Sequence, residues 1–329
     1  MRTIFAGSGE FAVPALRRLA DRGGDIAFVL TQPSRQAGRG RKMTPTPVHR
    51  QADELGLEVI ATHQANAPEI VERIRRGEVR LGVTAAFGQK IGSALLEAPV
   101  AGWINLHASL LPTYRGASPI HRAVLDRGER TGVTVFRLTE RMDAGPVLTS
   151  RWTGINPEET TSELHDRLAG IACDALGAAL PLFENDIPEG TPQDESKATP
   201  APRLSKSDGR IDFSRPAEVE AAHICGMWSW PGATCDFVST AGRHERVTLA
   251  RARVPELLPA ASALPPGRID DRYYVAAGLG FVELLEIKPQ GGRLMTWPDF
   301  VNGRHVQPGD RFEAAVTSDG PLPGGRGSV

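Results

Sequence analysis

The chain has 329 residues, with 38 basic against 39 acidic side chains and a formal net charge of −1. With 40% apolar and 23% charged residues it has the composition of a folded protein and not of a disordered or fibrous one. Near-zero charge argues against a protein that coats nucleic acid non-specifically, while leaving room for a local basic patch.

The length suggests roughly two domains on a prior of about 150 residues each. The opening MRTIFAGSGEF lacks the long apolar core of a signal peptide. No run approaches the ~18 apolar residues of a membrane span. Cys173, Cys225 and Cys235 are odd in number and include no C-x-x-C pair. They form neither a disulfide framework nor a tetrahedral zinc site and are expected as small buried residues in a reducing, cytoplasmic compartment.

Residues 3–6 form a short apolar strand ending at Gly7, and residues 11–19 follow with helical spacing. Strands are then predicted at 26–30, 58–61, 81–87 and 103–106, with helices at 48–55, 68–74 and 93–96 between them. Continuous apolar strands alternating with amphipathic helices imply an α/β unit, a doubly wound and mostly parallel Rossmann-like sheet covered on both faces. Two further strands are predicted at 131–138 and 147–152, then a long helical segment at 161–183 opened by a Thr-Thr-Ser cluster suited to capping. Residues 185–208 carry four prolines and few apolar side chains and read as a connector. Beyond it, short strand-like pieces at 234–238, 246–250, 273–276 and 281–287, separated by Gly and Pro, fit a small β-barrel of OB-like type. The expected division is a catalytic domain at 1–188, a linker at 189–207, a barrel domain at 208–315 and a disordered tail at 316–329.

Gly7-Ser8-Gly9-Glu10-Phe11-Ala12 matches G-x-G-x-x-A directly after a strand. The acidic residue that a dinucleotide ribose needs is missing, because the second strand ends in Thr31-Gln32-Pro33. A tight turn is therefore expected there. The informative segment is Asn105-Leu106-His107-Ala108-Ser109-Leu110-Leu111-Pro112. Strand alternation puts Asn105 and His107 on one face, at the carboxyl end where open sheets place ligands. An amide can donate to a developing oxyanion, and an imidazole moves a proton near pH 7. Asp143, on the turn Met142-Asp143-Ala144-Gly145, can orient the imidazole or relay a proton. By chemistry alone the pair could equally be capping residues and the turn only a turn.

Asn105-x-His107-x-Ser109-Leu110-Leu111-Pro112-x-x-Arg115-Gly116-Ala117-x-Pro119-Ile120 resembles the signature of the folate-dependent formyltransferases. Further matches run in order: the segment around Phe5–Leu16, Thr31-Gln32-Pro33, Ala37-Gly38-Arg39-Gly40, Ala86-Phe87-Gly88-Gln89, Met142-Asp143-Ala144-Gly145 and Leu204-Ser205-Lys206. The resemblance implies 10-formyltetrahydrofolate as co-substrate, no metal, and catalytic roles for Asn105, His107 and Asp143. Asn105 would stabilise the formyl oxygen as it gains charge. His107 would either do the same or take the proton of the attacking nitrogen, with Asp143 tuning it. The folate slot would use Ser109, Leu110, Leu111 and Pro112 together with Phe87, Gly88, Gln89 and Ile91. Pro146 stands where the family usually carries Asp, so no second carboxylate is expected at that turn.

The inserted loop at 34–43 and the C-terminal domain narrow the resemblance to the branch that acts on initiator methionyl-tRNA, as a monomer. Arg39, Arg41 and Lys42 on that loop, with Lys206, Arg251 and Arg253, are the implied tRNA contacts. Arg251 and Arg253 share a strand face, a basic strip for phosphates. The rivals are a formyltransferase or hydrolase acting on a small amine or on water, a non-catalytic RNA-binding protein, and a nicotinamide-dependent dehydrogenase. The C-terminal domain argues against the first. The joint presence of Asn105, His107 and Asp143 argues against the second, and Gln32 against the third.

Overall fold

The computed structural model describes residues 1–37, 42–256 and 264–315. They fall into two compact units. The first comprises Met1–Ala123, Gly128–Ile155 and Glu163–Arg203; the second comprises Val124–Arg127, Asn156–Ser162 and the chain from Leu204 onward.

In chain order the strands of the first unit are β1 (Arg2–Gly7), β2 (Asp25–Thr31), β3 (Arg35–Ala37), β4 (Lys42–Thr44), β5 (Val59–Ala61), β6 (Leu81–Ala85), β7 (Trp103–His107), β8 (Arg115–Gly116), β9 (Arg130–Arg137), β10 (Val147–Gly154) and β11 (Pro200–Ala201). Seven of them form one sheet in the order β10-β9-β7-β6-β1-β2-β5. The five from β5 to β7 run parallel, and β9 and β10 are antiparallel additions at the far edge. This is the expected Rossmann-like sheet. Its central strands are buried and mostly apolar because helices cover both faces: β6 is buried at every position, and β1 at all but Arg2.

The helices α1 (Val13–Asp21), α2 (Pro47–Glu54) and α3 (Pro68–Arg76) begin where local chemistry lets them. Pro47 and Pro68 occupy first-turn positions that need no amide donor. The Thr46 side chain accepts from the His49 amide at 3.1 Å, a cap worth about 1 kcal/mol. On α3, Ile70, Val71 and Ile74 face the core while Arg73, Arg75 and Arg76 gather at the carboxyl end, where the helix dipole favours cations. Residues 180–183, expected to continue the long helix, tighten into a 3-10 turn containing Pro181, after α-helix ends at Ala179.

Residues 189–207, read as a linker from composition, are structured. Gly190 to Arg203 belong to the first unit, with a 3-10 turn at Glu195–Lys197 and strand β11 pairing in parallel with β8. Prolines and polar residues here bond to neighbouring loops instead of building an apolar face of their own, so composition resembled that of a free connector.

The second unit contains β12 (Ala233–Val238), β13 (His244–Arg253), β14 (Val275–Ala276), β15 (Phe281–Pro289), β16 (Met295–Thr296) and β17 (Arg311–Ala314). They form an antiparallel sheet in the order β14-β15-β13-β12-β17, with β16 on β15. Bridges from Arg268 to Arg311 and from Ile269 to Val275 join the two ends, so the sheet curls into a nearly closed barrel. Phe237, Phe300, Phe312 and Trp297 pack as neighbouring rings inside it. The helix Ala217–Met227 lies over β13 and buries Ile224, Cys225 and Met227. Cys235 is also buried, whereas Cys173 is only half-buried. Trp230 is half-exposed at 51%. No helix among the described residues is long and apolar enough to cross a membrane.

That covering helix carries Glu220, fully buried, and His223 one turn on. Burial pushes the Glu220 carboxyl up to about 7 and the His223 imidazole down to about 4, even though Arg215 stands 3.7 Å from one Glu220 oxygen and the Asp212 amide donates to the other. Glu220 binds its proton more tightly folded than unfolded, so its contribution is present below the ordinary carboxylate range and is lost as pH rises toward 7. His223 has the opposite sign and costs stability as pH falls from 6.5 toward 4. A Glu220→Gln variant should therefore raise the thermal midpoint at pH 8, with the gain shrinking toward pH 5. Denaturation followed by circular dichroism at the two pH values checks it; an equal difference at both would contradict the assignment.

Candidate active site

The strand order reverses between β1 and β6, and the carboxyl ends of β1, β6 and β7 lie side by side there. Open α/β sheets bind ligands at this kind of switch point. The glycine motif after β1 does not provide a phosphate cradle. The Ser8 and Gly9 amides both donate to the Ala86 carbonyl at 3.2 Å. The Gln32 amide donates to Ser8 Oγ at 3.1 Å, and its side-chain Nε2 donates to the Phe87 carbonyl at 3.0 Å. The motif is the expected tight turn, and it ties β1 to the end of β6.

The two segments expected to line the folate slot follow β6 and β7, and their side chains divide the work unevenly. Phe87 and Ile91 are buried in the apolar cluster beside the sheet. Gln89 uses both ends internally, accepting from the Ala65 amide at 3.2 Å and donating to the Thr62 carbonyl at 2.7 Å. Ser109 is fully buried, and its hydroxyl donates to the Thr113 carbonyl at 2.5 Å. These four side chains are held within the protein, two in the apolar cluster and two by internal hydrogen bonds. Ala86 and Gly88 are exposed, and Leu110, Leu111 and Pro112 are half-buried, so these line the open side. The Thr134 hydroxyl on β9 fixes this second turn by donating to the Ser109 carbonyl at 2.7 Å and accepting from the Leu111 amide at 3.0 Å.

Asn105 and His107 project to one face of β7. No described group hydrogen-bonds the half-buried Asn105 amide. His107 is buried, edge-on to Phe136 with ring centroids 6.4 Å apart. Its Nε2 lies 2.8 Å from the Tyr114 carbonyl. A carbonyl only accepts, so Nε2 carries the proton and Nδ1 of the neutral ring is left without one. Asp143 Oδ2 stands 3.8 Å from Nδ1, an ion-pair distance too long for a direct hydrogen bond.

Both partners sit on backbone held in the left-handed region, Tyr114 at φ 62° and Asp143 at φ 51°. Such residues cost of order 1–3 kcal/mol each and persist only where their surroundings fix them. Thr199 fixes the first: its hydroxyl accepts from the Tyr114 amide and its carbonyl from the Arg115 amide, both at 2.8 Å. The Gly116 amide fixes the second, donating to Asp143 Oδ2 at 2.9 Å. Gly116 itself adopts φ 128° against Ala201, an approach no Cβ would allow. Tyr114 and Thr199 were not legible as site residues, since one acts through its main-chain carbonyl and the other lies in the stretch read as linker. Among the described residues no group of three or more His, Cys, Asp or Glu side chains could hold a metal ion. A surface cleft of about 630 Å³ beside Phe28, Pro68 and Arg73 lies at the other, amino end of the strands and contains none of the site residues.

The expected basic residues have different surroundings. Arg39 and Arg41 lie outside the described residues. Lys42 is exposed at the start of β4, which pairs with β3 as a hairpin; neither it nor Arg35 meets a carboxylate among the described residues. Lys206 is exposed in a 3-10 turn. The strip on β13 is not unopposed charge. Arg251 pairs with Glu286 at 2.9 Å, and Arg253 with Glu283 at 2.6 Å and Glu158 at 3.1 Å. Strand alternation puts the two arginines on one face, but cross-strand glutamates on β15 share it.

Comparison with known proteins adds to this geometry. Residues 1–180 match the family described as formyl transferase, and residues 203–305 match its C-terminal domain. The chain is 40% identical over 320 residues to the methionyl-tRNA formyltransferase of Heliobacterium modesticaldum, covering 95% of this chain and 100% of that one. It is 40% identical over 315 residues to the enzyme of the same name from Methylococcus capsulatus, covering 95% and 99%. Among solved structures, the sugar 3N-formyl transferase WlaRD, in the presence of dTDP and 5-N-formyl-tetrahydrofolate, superposes with a TM-score of 0.60 at 13% identity over 88% of this chain and 97% of that one. The structural likeness is one of fold.

Gly145, two residues after Asp143, is buried, and a Cβ there would stand 1.8 Å from the Arg137 carbonyl. Gly145→Ala must therefore displace the turn that carries Asp143. The expected result is a folded protein whose turnover falls at least about tenfold, on the scale of catalytic losses from misplaced groups. Steady-state kinetics alongside a circular dichroism spectrum checks this, and unchanged turnover would contradict it.

Proposed function

The chain belongs to the formyl transferase family, and we propose that it transfers the formyl group of 10-formyltetrahydrofolate to the α-amino group of initiator methionyl-tRNA. The product is N-formylmethionyl-tRNA for translation initiation, which places the protein in the cytoplasm. What carries the reading is an Asn105 amide that no described group hydrogen-bonds, on the same strand face as a His107 whose Nδ1 stands 3.8 Å from Asp143. The near full-length identity to methionyl-tRNA formyltransferases selects the acceptor.

The residues present fit the co-substrate. The half-buried Leu110, Leu111 and Pro112 offer an apolar wall, and the exposed backbone at Ala86 and Gly88 offers hydrogen bonds to a flat heterocycle. The co-substrate supplies the formyl carbon that the amine attacks. The Asn105 amide donates to the formyl oxygen as negative charge builds on it, a contribution of about 3–4 kcal/mol for one such donor. The His107–Asp143 pair takes up the proton that the attacking nitrogen sheds and returns it to N10 of the folate as the formyl carbon–N10 bond breaks and tetrahydrofolate leaves. Once protonated on Nδ1 as well as Nε2, the imidazolium has the Asp143 carboxylate at ion-pair distance from Nδ1 and the Tyr114 carbonyl accepting from Nε2. Because Nε2 is committed to Tyr114, His107 acts only through Nδ1.

On the tRNA side, the basic segment at 34–43 engages the acceptor stem through Arg39, Arg41 and Lys42, of which Lys42 is exposed on β4. Lys206 and the Arg251–Arg253 strip contact backbone phosphates. The glutamates that hold the strip keep its guanidiniums ordered at the surface.

Incubation with 10-formyltetrahydrofolate and charged initiator tRNA should yield formyl-methionine, whereas formate released without tRNA would point to a hydrolase and defeat the proposal. Asn105→Ala should lower kcat by about 10²–10³-fold. Arg39→Ala should raise KM for methionyl-tRNA and leave folate binding unchanged. Kinetics equal to the parent's in either variant would remove that residue from the scheme.

A further inference from the structure

The segment between the sheet and the chain's second unit holds a side chain with a defined task. Gln193 is half-buried, and its amide is saturated. Nε2 donates to the Asp143 carbonyl at 2.9 Å and to the Gly145 carbonyl at 2.7 Å. Oε1 accepts from Arg115 Nε at 3.1 Å and Nη2 at 2.7 Å. With two donors and two acceptor positions all used, the amide has one stable orientation. It clamps the turn that carries Asp143 to the loop that carries Tyr114 and Gly116. Glu195 braces the same clamp: it accepts from Arg115 Nη1 and Nη2 at 3.0 Å each and from Arg141 at 2.9 Å. These hydrogen bonds, Arg115's first, hold its carboxyl down to about 2, so the brace stays charged at working pH.

We propose that Gln193 is a positioning residue for formyl transfer, acting through Asp143 by fixing that left-handed turn so that its carboxylate faces His107 Nδ1. Asp143 lies where its backbone is strained, at φ 51°, and its only other described hydrogen bond to the opposing loop is the one from Gly116. The carboxylate's distance from the imidazole is thus set by two contacts, one on each side of the residue. Gln193 supplies the main-chain one. It touches neither the reacting atoms nor the tRNA elements assigned above, so its loss should change turnover and not binding.

This rests on the reading of His107 and Asp143 given above, and the test separates the two. The parent must first formylate methionyl-tRNA; if it does not, the functional reading fails and not this one. Given that activity, Gln193→Ala should lower kcat about ten- to a hundredfold with KM for both substrates unchanged. Placed on an Asp143→Asn background it should cost nothing further, because both changes remove the same alignment. Gln193→Glu keeps the acceptors for Arg115 and loses the donors to the turn, so it should be as slow as the alanine variant while retaining the parent's thermal midpoint. Losses that multiply in the double variant, or full activity in Gln193→Glu, would overturn the proposal.

Discussion

One hydrogen bond organises the catalytic end of the sheet: His107 Nε2 donating to the Tyr114 carbonyl at 2.8 Å. An imidazole has two nitrogens, and a site that commits one of them defines what the other can do. Here the remaining Nδ1 faces the Asp143 carboxylate. The Tyr114 carbonyl can reach the ring only because its residue is left-handed, and that conformation is held by Thr199, outside the sheet. The chain has therefore invested a strained loop, and a second segment to support it, in the orientation of one ring. The same segment, through β11 and Gln193, supports Asp143 from the other side. What composition makes look like a connector is the frame of the candidate site.

The charge pattern follows a similar logic. A chain with net charge −1 has no general attraction for nucleic acid, so any grip on tRNA comes from local cations. In the barrel the arginines of β13 are balanced by carboxylates of neighbouring strands: Arg246 by Asp236, Arg251 by Glu286, Arg253 by Glu283. Exposed pairs of this kind add little stability individually. Their effect is to cancel the field that a bare strip would project. Arg35 and Lys42, by contrast, stand exposed on the hairpin without a described carboxylate beside them. Among the described residues, these two cations of the first unit thus keep the field that the β13 arginines lose.

Much of this was legible in the sequence. Continuous apolar runs gave away the parallel sheet, and period-two spacing placed Asn105 and His107 on one face, because burial on both sides of a sheet and strand alternation are local properties. The failure of the glycine motif as a nucleotide site was legible from Gln32, and its cause is now seen in the amides spent on Ala86. The pocket walls were half legible. The segments follow the ends of adjacent strands, but how Gln89 and Ser109 are held depends on partners 24 and 4 residues away, Ala65 and Thr113. The framing role of Tyr114, Gln193 and Thr199 was not legible. It runs through main-chain carbonyls and through contacts across 85 residues, which leave no local pattern.

The central claim is that His107 presents Nδ1 to the reaction because Nε2 is held by Tyr114. Nitrogen-15 chemical shifts of the His107 ring, recorded above the pH at which the imidazole loses its second proton, report the tautomer directly. The account predicts a protonated Nε2 and a bare Nδ1. A ring carrying its proton on Nδ1, with Nε2 unprotonated, would contradict it.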